Sequence, residues 1–159
     1  MAYDGQTNPA WINAILDWRW TWPLARVGLT SAFWIGGLTK LFDFSAAVAE
    51  QAQFGIDPPG FFAALTIAVE LLGSALVISG RWLWLGAGAL AVFTALATLI
   101  AHRFWEMTGQ ERFVATNAFF EHLGLIAGFV IAAQFASSAR HRGAAQALDA
   151  RRPEPTTAR

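Results

Sequence analysis

The chain has no cysteine, and charged residues make up only 14% of its 159 residues. The absence of cysteine excludes disulfides, thiolate metal sites, iron–sulfur clusters and thiol redox catalysis by the chain itself. Its 11 basic residues balance its 11 acidic residues, so no net field attracts nucleic acid. The N-terminus also lacks the basic segment and short apolar core of a cleavable signal, and we therefore expect mature sequence from the first residue.

Apolar residues make up 55% of the chain, and its mean hydropathy is +0.41. Four apolar segments approach the length of about 20 residues that crosses the ~30 Å hydrocarbon core. They cover residues 22–42, 61–79, 82–101 and 113–136. The third segment carries no charge at all, which is typical of a membrane span. The sequence predicts an all-α membrane protein built as a bundle of four transmembrane helices.

The two ends of the chain differ from this predicted domain at 22–136. In residues 1–21, Asn8 and Pro9 precede a short amphipathic pattern, with Asn8 as the cap and Pro9 at the first helical position. We expect a short interfacial helix on the membrane there, with a disordered tail as the alternative. Residues 137–159 are polar and basic and contain two prolines, which predicts a flexible cytoplasmic tail.

The basic residues are distributed unevenly between the two sides of the predicted bundle. One side holds both termini and the turn between the second and third segments, and it carries Arg19, Arg81, Arg140, Arg142, Arg151, Arg152 and Arg159. The other side carries Lys40, Arg103 and Arg112. Because cytoplasmic loops are enriched in arginine and lysine, both termini are predicted to be cytoplasmic.

Several polar side chains fall in the outer half of this predicted topology, at about 1.5 Å of helix rise per residue. They are Lys40, Glu70, His102, Asn117, Glu121 and His122. A charge near the bilayer centre costs about 3 kcal/mol or more unless it is paired or hydrated. Glu70 is the deepest, and it is either a structural ion pair with Lys40 or part of a ligand pocket. Arg26 lies near the cytoplasmic interface and is expected to extend to lipid headgroups, with a pair to Glu70 as the alternative.

Trp105 and Glu106 follow His102 at the outer end of the third segment and are secondary candidates for the same cluster. A metal ion held by His102, His122, Glu106 and Glu121 is chemically conceivable, but their spacing matches no defined metal site. We therefore predict no metal.

Small residues form a stripe along the third segment at Gly88, Ala91 and Ala95. Such stripes let membrane helices approach closely, so this one predicts a helix contact, and a ligand groove is the alternative.

Several short motifs follow one another along the chain: Arg26, GGLTK at 36–40, FGIDP at 54–58, ELLG at 70–73, SGR at 79–81, HRFW at 102–105 and the segment 117–128. Their order and spacing resemble those of the DoxX family of bacterial inner-membrane proteins. The similarity covers about residues 23–133. The family pattern often ends in a glycine pair in the last span, whereas this chain has LGLIAG at 123–128.

The resemblance implies a multi-pass protein of the inner membrane with four helices. Some DoxX-like proteins are linked to quinone-coupled thiosulfate oxidation or to membrane oxidoreductase complexes that handle oxidative stress. This implies a redox-associated subunit whose outer-half pocket takes a quinone or a small polar molecule, in contact with lipid and with a membrane or redox partner. The alternative is a non-enzymatic scaffold or receptor for a protein partner. Whether the chain is itself catalytic stays open, and a transporter is disfavoured because no internal repeat is visible.

Overall fold

The computed structural model describes residues 8–149, and this part of the chain is helical without any β-strand. Residues 8–149 form seven α-helices, with a 3₁₀ helix at Phe104–Glu106 between the last two. The helices are α1 Ala10–Leu16, α2 Thr21–Leu29, α3 Ser31–Phe42, α4 Phe44–Gln53, α5 Pro59–Ser79, α6 Leu83–Ala101 and α7 Gly109–Asp149. The predicted all-α class is confirmed.

Three stretches of the described chain combine the length and apolarity of a membrane span: Pro59–Ser79, Leu83–Glu106 and Gly109–Ala147. The first predicted span differs, because residues 22–42 form two shorter helices, α2 and α3, that meet at Thr30. The Thr30 hydroxyl donates a hydrogen bond to the Arg26 carbonyl at 2.8 Å. A threonine that bonds back to the preceding turn often bends a helix, which explains the break at this position.

The long helices pack side by side, with α6 between α5 and α7 and with α3 against α5. Helix α2 contacts both α5 and α7 and so closes the group. The core between them is formed by Phe33, Val77, Leu83, Ala87, Leu90, Phe129 and Ala132. The rings of Phe33 and Phe129 lie 5.5 Å apart at its centre. Aromatic pairs at this separation add to the stability that comes from their burial.

Two glycines bring α5 and α6 together. A Cβ on Gly86 would lie 2.7 Å from the carbonyl oxygen of Gly73, and a Cβ on Gly73 would lie 2.9 Å from Leu90. The predicted contact stripe is therefore wrong at Gly88, where an added Cβ would meet nothing within 4 Å. Ala91, which belongs to the same predicted stripe, does pack against the core.

Helix α4 crosses the end of the bundle at which α3 ends and α5 begins, which we call the α4 end. Asp43 caps this helix by accepting a hydrogen bond from the Ala46 N–H at 3.0 Å. That bond and one from the Ser45 hydroxyl hold the pKa of Asp43 below its ordinary value. Helix α4 packs against α5, so it covers part of the polar cluster described below.

Both ends of the chain depart in detail from the sequence prediction. Helix α1 has Pro9 as its N-cap, not Asn8, and its first helical residue is Ala10. Helix α7 continues past residue 136 to Asp149, so residues 137–149 are helical. The predicted segments 1–21 and 137–159 also include residues 1–7 and 150–159, which lie outside the described residues.

Candidate binding site

Lys40 of α3 and Glu70 of α5 form the predicted ion pair, which is present in the structure. The Lys40 Nζ donates to Glu70 Oε1 at 3.1 Å and to Oε2 at 3.3 Å. Gly37 makes room for this approach, because a Cβ on it would collide with Leu71 at 2.8 Å, whereas a Cβ on Gly36 would be in ordinary contact with Nζ at 3.5 Å. The GGLTK motif therefore lets α3 approach α5 closely enough for both carboxylate oxygens to be reached.

His102 and His122 form a second polar pair, with ring centroids 5.1 Å apart. His102 follows directly after the last residue of α6, and His122 lies on α7. The His122 Nδ1 is 2.8 Å from the hydroxyl oxygen of Thr98 on α6. Thr98 in turn donates to the Thr94 carbonyl at 2.6 Å. A polar chain therefore runs from the α6 backbone to the imidazole of α7.

One cavity of about 1010 Å³ touches both pairs. Its polar lining lies between the α4 end and the middle of α5 and α6, and comprises Lys40, Glu50, Gln51, Thr66, Glu70, Thr94, His102 and His122. Its apolar lining continues along α5 and α6 and includes Leu65, Leu85, Gly88, Val92, Leu96 and Ile100. Val92 and Leu96 are more than half exposed, so this wall opens at the outer surface of the bundle.

A smaller cavity of about 320 Å³ lies beside Lys40 and is lined by Asp43 and Glu50 among others. Lys40 and Glu50 border both cavities. The ion pair therefore stands between the large cavity and a small acidic recess under α4.

Besides Arg26, four of the predicted site residues do not line the large cavity. Asn117 and Glu121 lie on α7 with exposed side chains. Trp105 and Glu106 lie in the 3₁₀ helix, where Glu106 forms an exposed ion pair with Arg103 at 3.2 Å. The structure thus brings together Lys40, Glu70, His102 and His122, and leaves these four outside that group.

Arg26 contacts the opposite end of α5, away from Glu70, so its alternative pair with Glu70 is not formed. Its Nη1 donates to the Val77 carbonyl at 3.4 Å, and its guanidinium lies 5.8 Å from the centre of the Trp22 ring. A Cβ on Gly80, which has φ of +74°, would collide with that guanidinium. The cation lies near the C-terminal end of α5, where the helix dipole is negative, and its expected contact with lipid headgroups stays a prediction.

The comparison with known proteins agrees with these motifs. The DoxX family model matches residues 21–103, just over half of the chain. This chain belongs to the DoxX family. The match includes α2, α3, α5 and α6, and therefore the Lys40–Glu70 pair and His102. His122 lies outside the matched range.

This DoxX protein is also similar to the inner membrane protein YphA of Escherichia coli (strain K12). The two are 25% identical over 110 residues, which cover 69% of this chain and 79% of that protein. No solved structure matches the chain. The family match, the similarity to YphA and the long apolar helices together show that this DoxX protein is a multi-pass protein of the inner membrane.

Sequence reasoning missed Glu50 and Gln51 as cavity-lining residues of this DoxX protein, because both lie outside the predicted spans. It also assigned Thr98 no role at the site. The candidates were chosen by the cost of placing a charge in the membrane, and that cost does not apply to a neutral hydroxyl. The signal that was present is the spacing of Thr98 and His102, four residues apart and so near one face of the helix. Within residues 8–149 no three histidine, aspartate or glutamate side chains are grouped as metal ligands.

Proposed function

We propose that this DoxX protein binds a quinone-like amphiphile, an aromatic headgroup on an apolar chain, as a subunit associated with membrane redox chemistry. The observation that carries the proposal is a single cavity with a polar end and an apolar wall. Ligand pockets of about 300–1,000 Å³ commonly combine an apolar lining with a few polar groups that orient the ligand.

The polar end suits a headgroup that both donates and accepts hydrogen bonds. An ammonium has three donors, and Lys40 uses two directions toward Glu70. The third remains for a headgroup oxygen. On the other side His102 and His122 offer imidazole nitrogens. A flat ring placed between the two pairs would have polar partners at both of its edges.

The apolar wall suits a hydrocarbon chain that enters from the bilayer. Gly88 leaves open space on α6, bordered by the exposed side chains of Val92 and Leu85. Because hydrocarbon outside the bundle is continuous with this wall, a long tail would not need to leave lipid on binding. The same opening would let the ligand exchange laterally with the membrane.

A role in redox chemistry would rest on the ligand, since the chain has no cysteine. The side chains around the polar end can hold, orient and hydrogen-bond a quinone, but none of them carries electrons. We therefore propose an accessory function, in which the bound quinone exchanges electrons with a partner protein.

The topology proposed for this function has four crossings. Helices α2 and α3 follow each other over residues 21–42, which is roughly 30 Å at 1.5 Å per residue. With α5, α6 and α7 they would complete four passes and leave both termini in the cytoplasm. The polar end of the cavity would then face the periplasmic half of the membrane.

The experiment is to purify the protein in native nanodiscs and to identify extracted quinones by mass spectrometry. Gly88→Phe should lower the quinone content severalfold, because the ring would fill the open part of the apolar wall. Gly124→Phe is the matched control, since a Cβ at Gly124 also meets nothing within 4 Å and Gly124 does not line the cavity. Quinone at background level in the unmodified protein, or an equal content in both variants, would contradict the proposal.

A second candidate function is a non-enzymatic scaffold or receptor. The observation in its favour is that α7 remains helical to Asp149, beyond the predicted span 113–136, with exposed Arg140 and Arg142. A regular helix outside the apolar region is a surface on which a partner can dock. A protein that co-purifies stoichiometrically with the chain, without any bound quinone, would favour this function over the first.

A further inference from the structure

The hydrogen bonds of Thr98 determine which nitrogen of His122 carries a proton. The Thr98 hydroxyl has one hydrogen, and its oxygen lies 2.6 Å from the Thr94 carbonyl, which can only accept. The same oxygen lies 2.8 Å from His122 Nδ1. A hydroxyl hydrogen directed to the carbonyl leaves Nδ1 as the donor in the second bond. This arrangement favours the tautomer of His122 that is protonated on Nδ1.

The other nitrogen of His122 is then an acceptor. The ring is partly buried in α7, lies against His102 and shares the cavity with the Lys40 cation. The Lys40 charge is already paired with Glu70, and an imidazolium at His122 would have no carboxylate within 4 Å among the described residues. Such a charge would be costly in the membrane, which favours the neutral imidazole. A neutral imidazole protonated on Nδ1 has a lone pair on Nε2 and no donor left. Its remaining hydrogen-bonding capacity is that of an acceptor alone.

We propose that His122 is a specificity-determining residue of the cavity and selects ligands that bear a hydroxyl group, such as a phenol or hydroquinone headgroup. Thr98 acts as a positioning residue that holds the accepting tautomer. This inference rests on the proposed function and adds to it the chemical form of the ligand. A headgroup hydroxyl can donate to Nε2, whereas a carbonyl or an ether oxygen at that place would face a lone pair.

The other polar groups of the cavity do not oppose this selection. The Glu70 carboxylate is also an acceptor, and Lys40 can donate to a hydroxyl oxygen as readily as to a carbonyl. His102 makes no side-chain hydrogen bond within residues 8–149, so it can present either nitrogen. Glu50 adds a carboxylate, and Gln51 and Thr66 can each donate or accept, so they favour neither form of the ligand. The discrimination therefore depends on the one imidazole whose tautomer is held.

The tautomer itself is tested by ¹⁵N NMR of the histidine-labelled full-length protein in bilayers, with His102→Phe and His141→Phe used for assignment. We expect a neutral His122 protonated on Nδ1, although free neutral histidine prefers the Nε2–H form. Thr98→Val, which keeps the side-chain shape, should release this preference. An Nε2–H tautomer or an imidazolium in the unmodified protein at neutral pH would overturn the inference.

Selectivity is tested with 4-dodecylphenol and its methyl ether, each measured against partition into empty nanodiscs. The phenol should bind about tenfold more tightly, which is the factor expected for one net hydrogen bond. Thr98→Val and His122→Phe should bring the ratio of the two affinities close to one and leave the affinity for the ether almost unchanged. His102→Phe should keep the ratio of the unmodified protein. Equal binding of the two compounds would overturn the selectivity alone, and binding of neither would overturn the proposed function with it.

Discussion

The contribution of the Lys40–Glu70 pair to the free energy of unfolding can be predicted from its burial. The side chain of Glu70 is 7% exposed and that of Lys40 is 20% exposed. Removing one partner of a buried ion pair costs about 3 to 5 kcal/mol, because the other charge is left without compensation. We expect Glu70→Gln to lower the free energy of unfolding by about 3 kcal/mol, at the lower end of this range, since the remaining Lys40 keeps some access to solvent. Lys40→Met should cost more, because it leaves the more buried carboxylate alone.

The assay is a double-mutant cycle in mixed micelles, with reversible unfolding by a denaturing detergent followed through tryptophan fluorescence. The double variant Lys40→Met with Glu70→Gln removes both charges and should recover about 2 kcal/mol relative to the sum of the single changes. A positive result would show that the two side chains stabilise the fold as a unit.

Arg26 provides the control for this cycle. Its partner is the Val77 carbonyl, about two helical turns along α5 from Glu70. Arg26→Met and Glu70→Gln should therefore be additive within about 0.5 kcal/mol. A coupling near zero between Lys40 and Glu70, or a larger one between Arg26 and Glu70, would refute the pairing described above.

Two further predictions concern packing and topology. Gly86→Ala should lower the free energy of unfolding by about 1 to 3 kcal/mol in the same assay, because its Cβ would lie 2.7 Å from the Gly73 carbonyl oxygen. Gly88→Ala is the control and should change this free energy little, because its Cβ would lie in open space. Equal losses in the two variants would contradict the α5–α6 contact. Reporter fusions after Gly109 should be active in the periplasm and fusions after Ala145 in the cytoplasm, as the arginine distribution predicts. The opposite pattern would show that the proposed topology is inverted.

The class of this protein and one of its central contacts could be predicted from the sequence alone. Apolar runs of about 20 residues have few stable forms other than membrane helices, because the backbone must satisfy its hydrogen bonds internally in lipid. The pairing of Lys40 with Glu70 was also predictable. The helical rise places Glu70 about 9 Å in depth from Lys40 and about 12 Å from Arg26, and the cost of an unpaired charge in the membrane favours contact with the nearer cation.

Only the tertiary structure decided three features of the protein. They are the break at Thr30, the partner of Arg26 and the choice of residues that form the polar cluster. Position along a helix determines depth, but the rotation of each helix about its axis depends on packing against its neighbours. Asn117 and His122 were both predicted to lie in the outer half of the membrane, yet α7 turns the first toward the surface and the second toward the cavity. The hydrogen bond between Thr98 and His122 arises from the same rotation, because it joins two helices whose relative orientation no local pattern in the sequence specifies.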